Sequence, residues 1–219
     1  MKSWKEFLAR MFRSRVSCLI AFGCFIIFLA SNCTTALAEE VLINNPSFEE
    51  DVPEDGGWMS SGGGAGINNA GFVTGWELPG GWGGSFRPTT IPYPEGIPDG
   101  LNVCWLNGPR LSQVLSQTLS GGFRYTLQVH VGKRADLRFS SFSIQLLAGE
   151  NLLAQTSLPT PGDGHFTIAT VTYTATPGDS FEGLPLKIRL LGGGTQVNFD
   201  MVTLDASPEC VGGPCAPCD

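Results

Sequence analysis

Trp82 stands in the run Gly80-Gly81-Trp82-Gly83-Gly84, with Arg87 and Tyr93 following on the same stretch. Glycines on both sides give an indole few packing partners from its own segment. Its face is then open to stack on the C–H surface of a sugar ring, with Arg87 bonding hydroxyls and Tyr93 as a second platform. The opposing arrangement has Trp82 folded back to plug the end of a β-sandwich. Both stand at the level of sequence.

Other residue types that carry chemistry are sparse. The two histidines, His130 and His165, sit in no nucleophile or zinc motif; G-x-S-x-G, H-E-x-x-H and a phosphate loop are all absent. Glu77 and Glu95 are carboxylates of the kind a glycosidase pairs, but nothing in their spacing singles them out. Cys215-Ala216-Pro217-Cys218 has thiol-redox spacing, yet only Asp219 follows it, and such motifs need a helix N-terminus to lower the thiol pKa. A structural staple or tail loop is the better reading. The chain is therefore expected not to be an enzyme.

The N-terminus carries Lys2, Lys5, Arg10, Arg13 and Arg15, then the apolar run Val16–Ala30, then Ala36-Leu37-Ala38. This order is that of a secretory signal peptide, with cleavage expected after Ala38 and a secreted or extracytoplasmic mature chain. Residues 1–38 hold five of the 13 Lys+Arg and one of the 20 Asp+Glu, so the remainder carries eight against nineteen, a net charge of −11. Such acidity argues against nucleic acid or an anionic membrane surface as partner, both of which need basic patches. Cys104, Cys210, Cys215 and Cys218 remain after cleavage, an even number that points to disulfides with the connectivity open. A Cys104–Cys210 pair would tie the tail to the core.

The elements that must position these residues are strands. In Phe123–Gly132, Phe123, Tyr125, Leu127, Val129 and Val131 alternate with Arg124, Thr126, Gln128 and His130, which gives one apolar and one wetter face. Strands are predicted at Val41–Ile43, Leu101–Leu106, Leu111–Leu119, Phe123–Gly132, Ser141–Ala148, Asn151–Thr156, Phe166–Thr174, Leu184–Leu191 and Gln196–Leu204, divided by Gly, Pro and Asp turns. A phase change between Phe166/Ile168 and Val171/Tyr173 suggests a bulge near Ala169. Residues 50–100 lack a sustained period; an irregular strand is predicted at Phe72–Leu78, and Trp76 and Trp105 read as core. With no helical period in the mature chain, the fold class is all-β: an antiparallel β-sandwich of jelly-roll type with eight or nine strands. The predicted organisation is a signal at 1–38, a sandwich at 39–206 and a Cys/Pro-rich tail at 207–219.

Ile43-Asn44-Asn45-Pro46-Ser47-Phe48-Glu49 and Val197-Asn198-Phe199-Asp200-Met201-Val202-Thr203-Leu204 resemble the first and last strands of galactose-binding-domain-like jelly rolls, which include many secreted bacterial carbohydrate-binding modules. Leu115–Leu119 with Tyr125-Thr126-Leu127 resembles the middle of that group. The resemblance implies a structural Ca²⁺ held by Glu49 and Asp200 with help from backbone carbonyls, a hard-oxygen set suited to that ion. It also implies a non-catalytic module that binds a polysaccharide or other glycan. The alternative is a structural or adhesive extracellular module without sugar specificity.

Overall fold

The computed structural model describes residues 38–59, 73–79, 82–108 and 110–209. The predicted signal peptide and Cys210, Cys215 and Cys218 lie outside them. Ten antiparallel strands and, among the described residues, no helix form a β-sandwich: β1 (Glu39–Glu40), β2 (Trp82–Phe86), β3 (Val103–Asn107), β4 (Arg110–Thr118), β5 (Phe123–Lys133), β6 (Phe142–Ala148), β7 (Asn151–Thr156), β8 (His165–Ala175), β9 (Pro185–Gly192) and β10 (Val197–Pro208). One sheet has six strands in the order β2-β3-β10-β5-β8, with β1 also on β10; the other has the order β4-β9-β6-β7.

Alternation explains the packing. Tyr125, Leu127, Val129 and Val131 of β5 are fully buried between the sheets, facing Ile144 and Leu146 of β6 and Leu186, Ile188 and Leu190 of β9 in one core. The opposite face of β9 is charged, and Glu150 bridges Lys187 (2.7 Å) and Arg189 (2.6 Å) there. Gln113 is buried on β4 and fastens the N-terminal segment: its Oε1 accepts from Asn44 N, and its Nε2 donates to the carbonyls of Asn44 and Gly75. Trp76 is core, as expected, with its indole N–H donated to Asn45 O and its ring against Phe48.

Several expectations are corrected. Trp82 lies not on a loop but at the start of β2, where Gly83 is required because a Cβ would come within 2.7 Å of Leu106 Cδ2. Residues 73–79 form no strand, only a bridge of Glu77 to Ser112, and Gly75 turns the chain at φ +81°. No bulge interrupts β8, which pairs with β5 without a break from Phe123↔Ala175 to Lys133↔His165. The bulge is in β10 instead. Its register against β5 shifts between Asp200 and Thr203, and Met201 takes the left-handed φ of 45°. The extra residue keeps both Phe199 and Val202 facing the core. Cys104 is unpaired among the described residues and fully buried in that core, where burial pushes its thiol pKa up; Cys210, with which a pair was considered, lies outside them.

Candidate functional site

The phase change in β8 has a second cause. Phe166 and Ile168 stand opposite Gly132 and His130 on the outer face of the six-stranded sheet, while Ala169 and Val171 face the core. Around β2 and β3 that outer face is apolar, where most sandwiches are wet. Phe86, Val103 and Trp105 form a second buried cluster on it, with Ile97 and Phe166 packed alongside. Trp105 therefore belongs to this outer cluster; Cys104 and Leu106, its neighbours in β3, take the inward positions.

A cavity of about 310 Å³ opens on the outer cluster, lined by Trp58, Trp82, Phe86, Trp105, Arg134 and Gln196. Phe86 and Trp105 are buried and make its floor, while Trp58 (65% exposed) and Trp82 (56% exposed) stand as walls. Residues 56–59 run beside β2 as a short added edge: Met59 N donates to Ser85 O, Arg87 N to Gly57 O, and Trp58 bridges Phe86. Trp105 Nε1 donates to Met59 O at 3.4 Å. The Arg134 guanidinium lies 5.1 Å from the Phe86 ring centroid. It grips Asp136 through Nε (2.9 Å) and Nη2 (2.7 Å) and donates from Nη1 to Gln196 Oε1 (3.0 Å). The bond from Arg134 holds the Asp136 carboxyl below the usual carboxylate range.

From Gln196 the same face runs along β10 through Asn198 to Asp200. The Tyr93 hydroxyl donates to Asn198 Oδ1 at 2.8 Å, and Gln196 Nε2 reaches the same oxygen at 3.4 Å. Burial pushes the Tyr93 phenol far above its ordinary pKa. Asp200 is fully buried; its Oδ1 accepts from Met201 N (2.7 Å) and its Oδ2 from Asp99 N (3.2 Å). Burial, reinforced by the charges of Asp99 and Glu49, raises its pKa to about 8 against the pull of those two N–H groups. A carboxyl raised this far keeps its proton through the mildly acidic range, where an ordinary aspartate is already ionised.

Segment 87–102 crosses this face. Glu49 fixes its end, with Oε1 accepting from Leu101 N (3.0 Å) and Asn102 N (2.7 Å) and Oε2 from Asn102 Nδ2 (3.0 Å). Glu49 and Asp200 thus hold neighbouring positions of one loop. For the calcium ion the resemblance implies, both carboxylates and the buried, unpartnered Asn102 Oδ1 are hard donors of the right kind. Among the described residues no group of three or more His, Cys, Asp or Glu side chains is placed to hold a metal. Of the three residues picked out for ligand binding, Trp82 lines the aromatic cavity, while Arg87 and Tyr93 border a neighbouring cleft of about 540 Å³. There Arg87 Nε pairs with Asp55 Oδ1 at 2.6 Å, and Tyr93 is buried. The structure does not gather the three around one ligand. Trp58, Trp105, Arg134 and Gln196 were missed. The apolar residue Phe166 at an outward position was the available signal, since it packs beside the outer cluster, while Ile168 on the same face is exposed.

A family model for HpiC1 cyclase matches residues 39–205. A Stig cyclase, Fisc from Fischerella sp. TAU, solved in complex with (3Z)-3-(1-methyl-2-pyrrolidinylidene)-3H-indole, superposes with a TM-score of 0.70 at 24% identity over 80% of this chain and 100% of its own. The apo form of a cyclase from Fischerella sp. gives a TM-score of 0.69 at 25% identity, over 79% and 98%. A Fischerella sp. TAU cyclase in complex with 4-(1H-indol-3-yl)butan-2-one gives 0.64 at 24%, over 78% and 99%. The curated proteins include no match. The β-sandwich expected from the strand pattern stands, but the non-catalytic module and its glycan partner do not. An enzyme family covers the whole sandwich where a carbohydrate-binding module was expected, and the tryptophans surround a cavity where a sugar platform would be open. The chain belongs to the HpiC1 cyclase family.

Proposed function

We propose that this protein cyclises a small aromatic molecule of the indole type, bound in the cavity between Trp58, Trp82, Phe86 and Trp105. The observation that carries this is the cavity itself. Four of its six lining residues are aromatic, on the face of the sheet where a sandwich is ordinarily polar, and it is about the size of a small-molecule site. The indole compounds bound by the Fischerella cyclases support the same ligand class.

Ring closure in such a site needs a folded ligand and a place for developing positive charge. Aromatic walls hold the reacting ends together, and their π faces stabilise a cation by about 0.5–2 kcal/mol each. Among the described residues, no Asp, Glu or His lines the cavity. A buried acid on this face is Asp200; we assign it the proton donor, its carboxylate then taking back the proton that the ring-closed cation loses, which leaves the mass unchanged. Segment 87–102 covers it, so donation to a ligand requires the Asp99 N–H to Asp200 bond to open.

Calcium at Glu49 with Asn102 Oδ1 is a second proposal, supported by that unpartnered buried oxygen. Asp200 would join the ion only when ionised, since metal ligands must be deprotonated. Export through residues 1–38 also stays a proposal. The test of the enzyme reading is incubation of the purified chain with indoles bearing unsaturated side chains. A new chromatographic peak at unchanged mass supports it; complete recovery of every substrate counts against it.

A further inference from the structure

Among the described residues, the polar end of the aromatic cavity offers more donors than acceptors. Arg134 and Gln196 are its two polar side chains. Arg134 has five N–H donors; among the described residues three are engaged, two with Asp136 and one with Gln196 Oε1. Two N–H groups are left over. That bond also uses the Gln196 carbonyl oxygen, and Gln196 Nε2 has one N–H beyond its long contact to Asn198. The indole N–H of the floor, Trp105 Nε1, is turned away to Met59 O. The guanidinium is also fixed: stacked over Phe86, forked onto Asp136 and only 15% exposed. A preorganised donor in an apolar cavity discriminates more strongly than a mobile one, because a ligand that cannot satisfy it leaves it desolvated and unpaired.

Resting on the cyclase reading above, we propose that Arg134, supported by Gln196, is the specificity-determining residue of the cavity. It selects aromatic ligands whose side chain carries a lone-pair acceptor, neutral or anionic, over those of the same shape without one. A ketone, carboxylate or similar acceptor meets the spare N–H groups.

The experiment is a fluorescence titration of the full chain, read from its own tryptophans by energy transfer to a longer-wavelength analogue, or by calorimetry where spectra overlap. Four probes share one ring: indole-3-acetone, indole-3-propionate, 3-propylindole and tryptamine. The ketone and the carboxylate are expected to bind about tenfold tighter than 3-propylindole and tryptamine, which carry no acceptor, the effect of one hydrogen bond to a charged donor. In Arg134→Met that preference collapses to the level of 3-propylindole, whose own affinity is kept. The wild-type ranking needs no variant, so the proposal stays testable if Arg134→Met does not fold. Equal binding of all four probes overturns it and leaves the aromatic cavity standing. Failure of every probe to bind overturns the cyclase reading and this proposal with it.

Discussion

The rings of Tyr93 and Phe166 meet at 4.6 Å between centroids directly over Gly132. A Cβ at that glycine would lie 2.5 Å from Phe166 Cε1 and 2.8 Å from the Tyr93 hydroxyl. The missing side chain lets segment 87–102 lie flat on the six-stranded sheet and lets Tyr93 reach Asn198. Gly132→Ala is expected to destabilise the protein by about 1–3 kcal/mol, the usual effect of overpacking, measured by urea unfolding. A loss below a few tenths would mean that the two rings are not held there.

Trp82 is half exposed on the cavity wall, so removing its ring should leave the fold intact. Trp82→Ala is expected to weaken binding of indole-3-acetone about tenfold, the loss of one aromatic contact, with an unchanged melting temperature. Calorimetry and a thermal scan on the same sample check both halves.

Asp200 predicts a pH dependence of stability. Its native pKa is raised to about 8, so between the ordinary carboxylate range and that value the folded state holds a proton the unfolded state has lost. Stability must therefore fall as pH rises through this window. Asp200→Asn should flatten the fall and abolish turnover; denaturation midpoints across the window, in chelator, measure the first effect.

Asp136 predicts the opposite sign at the cavity. Its depressed pKa means that its pairing with Arg134 is complete above the ordinary carboxylate range and is lost only as pH falls below it. The preference for acceptor-bearing indoles should persist through mildly acidic pH and then disappear. In Asp136→Asn it should no longer vary with pH, as read from Kd values for indole-3-acetone and 3-propylindole.

The calcium proposal is checked by chelation. If Glu49 and Asn102 hold the ion, calcium at a hundred times its Kd should stabilise the protein by about 2.7 kcal/mol, and Glu49→Gln should cancel the gain. An unchanged melting temperature on adding calcium to chelated protein removes the site.

Much of the sandwich could be read from alternation. β5 and β9 lie within two residues of their predicted bounds, because each has buried residues in a single core. β2 was invisible since Gly83 and Gly84 leave no alternation in Trp82–Phe86. The outer face was misread for a related reason. Val103 and Trp105 share a parity that sequence can assign to a core but not to which side of the sheet, and an unbroken β8 with apolar residues on both faces looks like a bulge. Arg134 had no local signal at all. Its role comes from Phe86, Asp136 and Gln196, which only the folded chain assembles around it.

The most direct test of the central claim is conversion. Wild-type protein and Asp200→Asn are incubated separately with an indole carrying an unsaturated side chain, and the products are resolved by chromatography and NMR. The account predicts a ring-closed product of unchanged mass from wild type and none from the variant. Binding of the indole without conversion by wild type, across substrates of differing chain length, would contradict it.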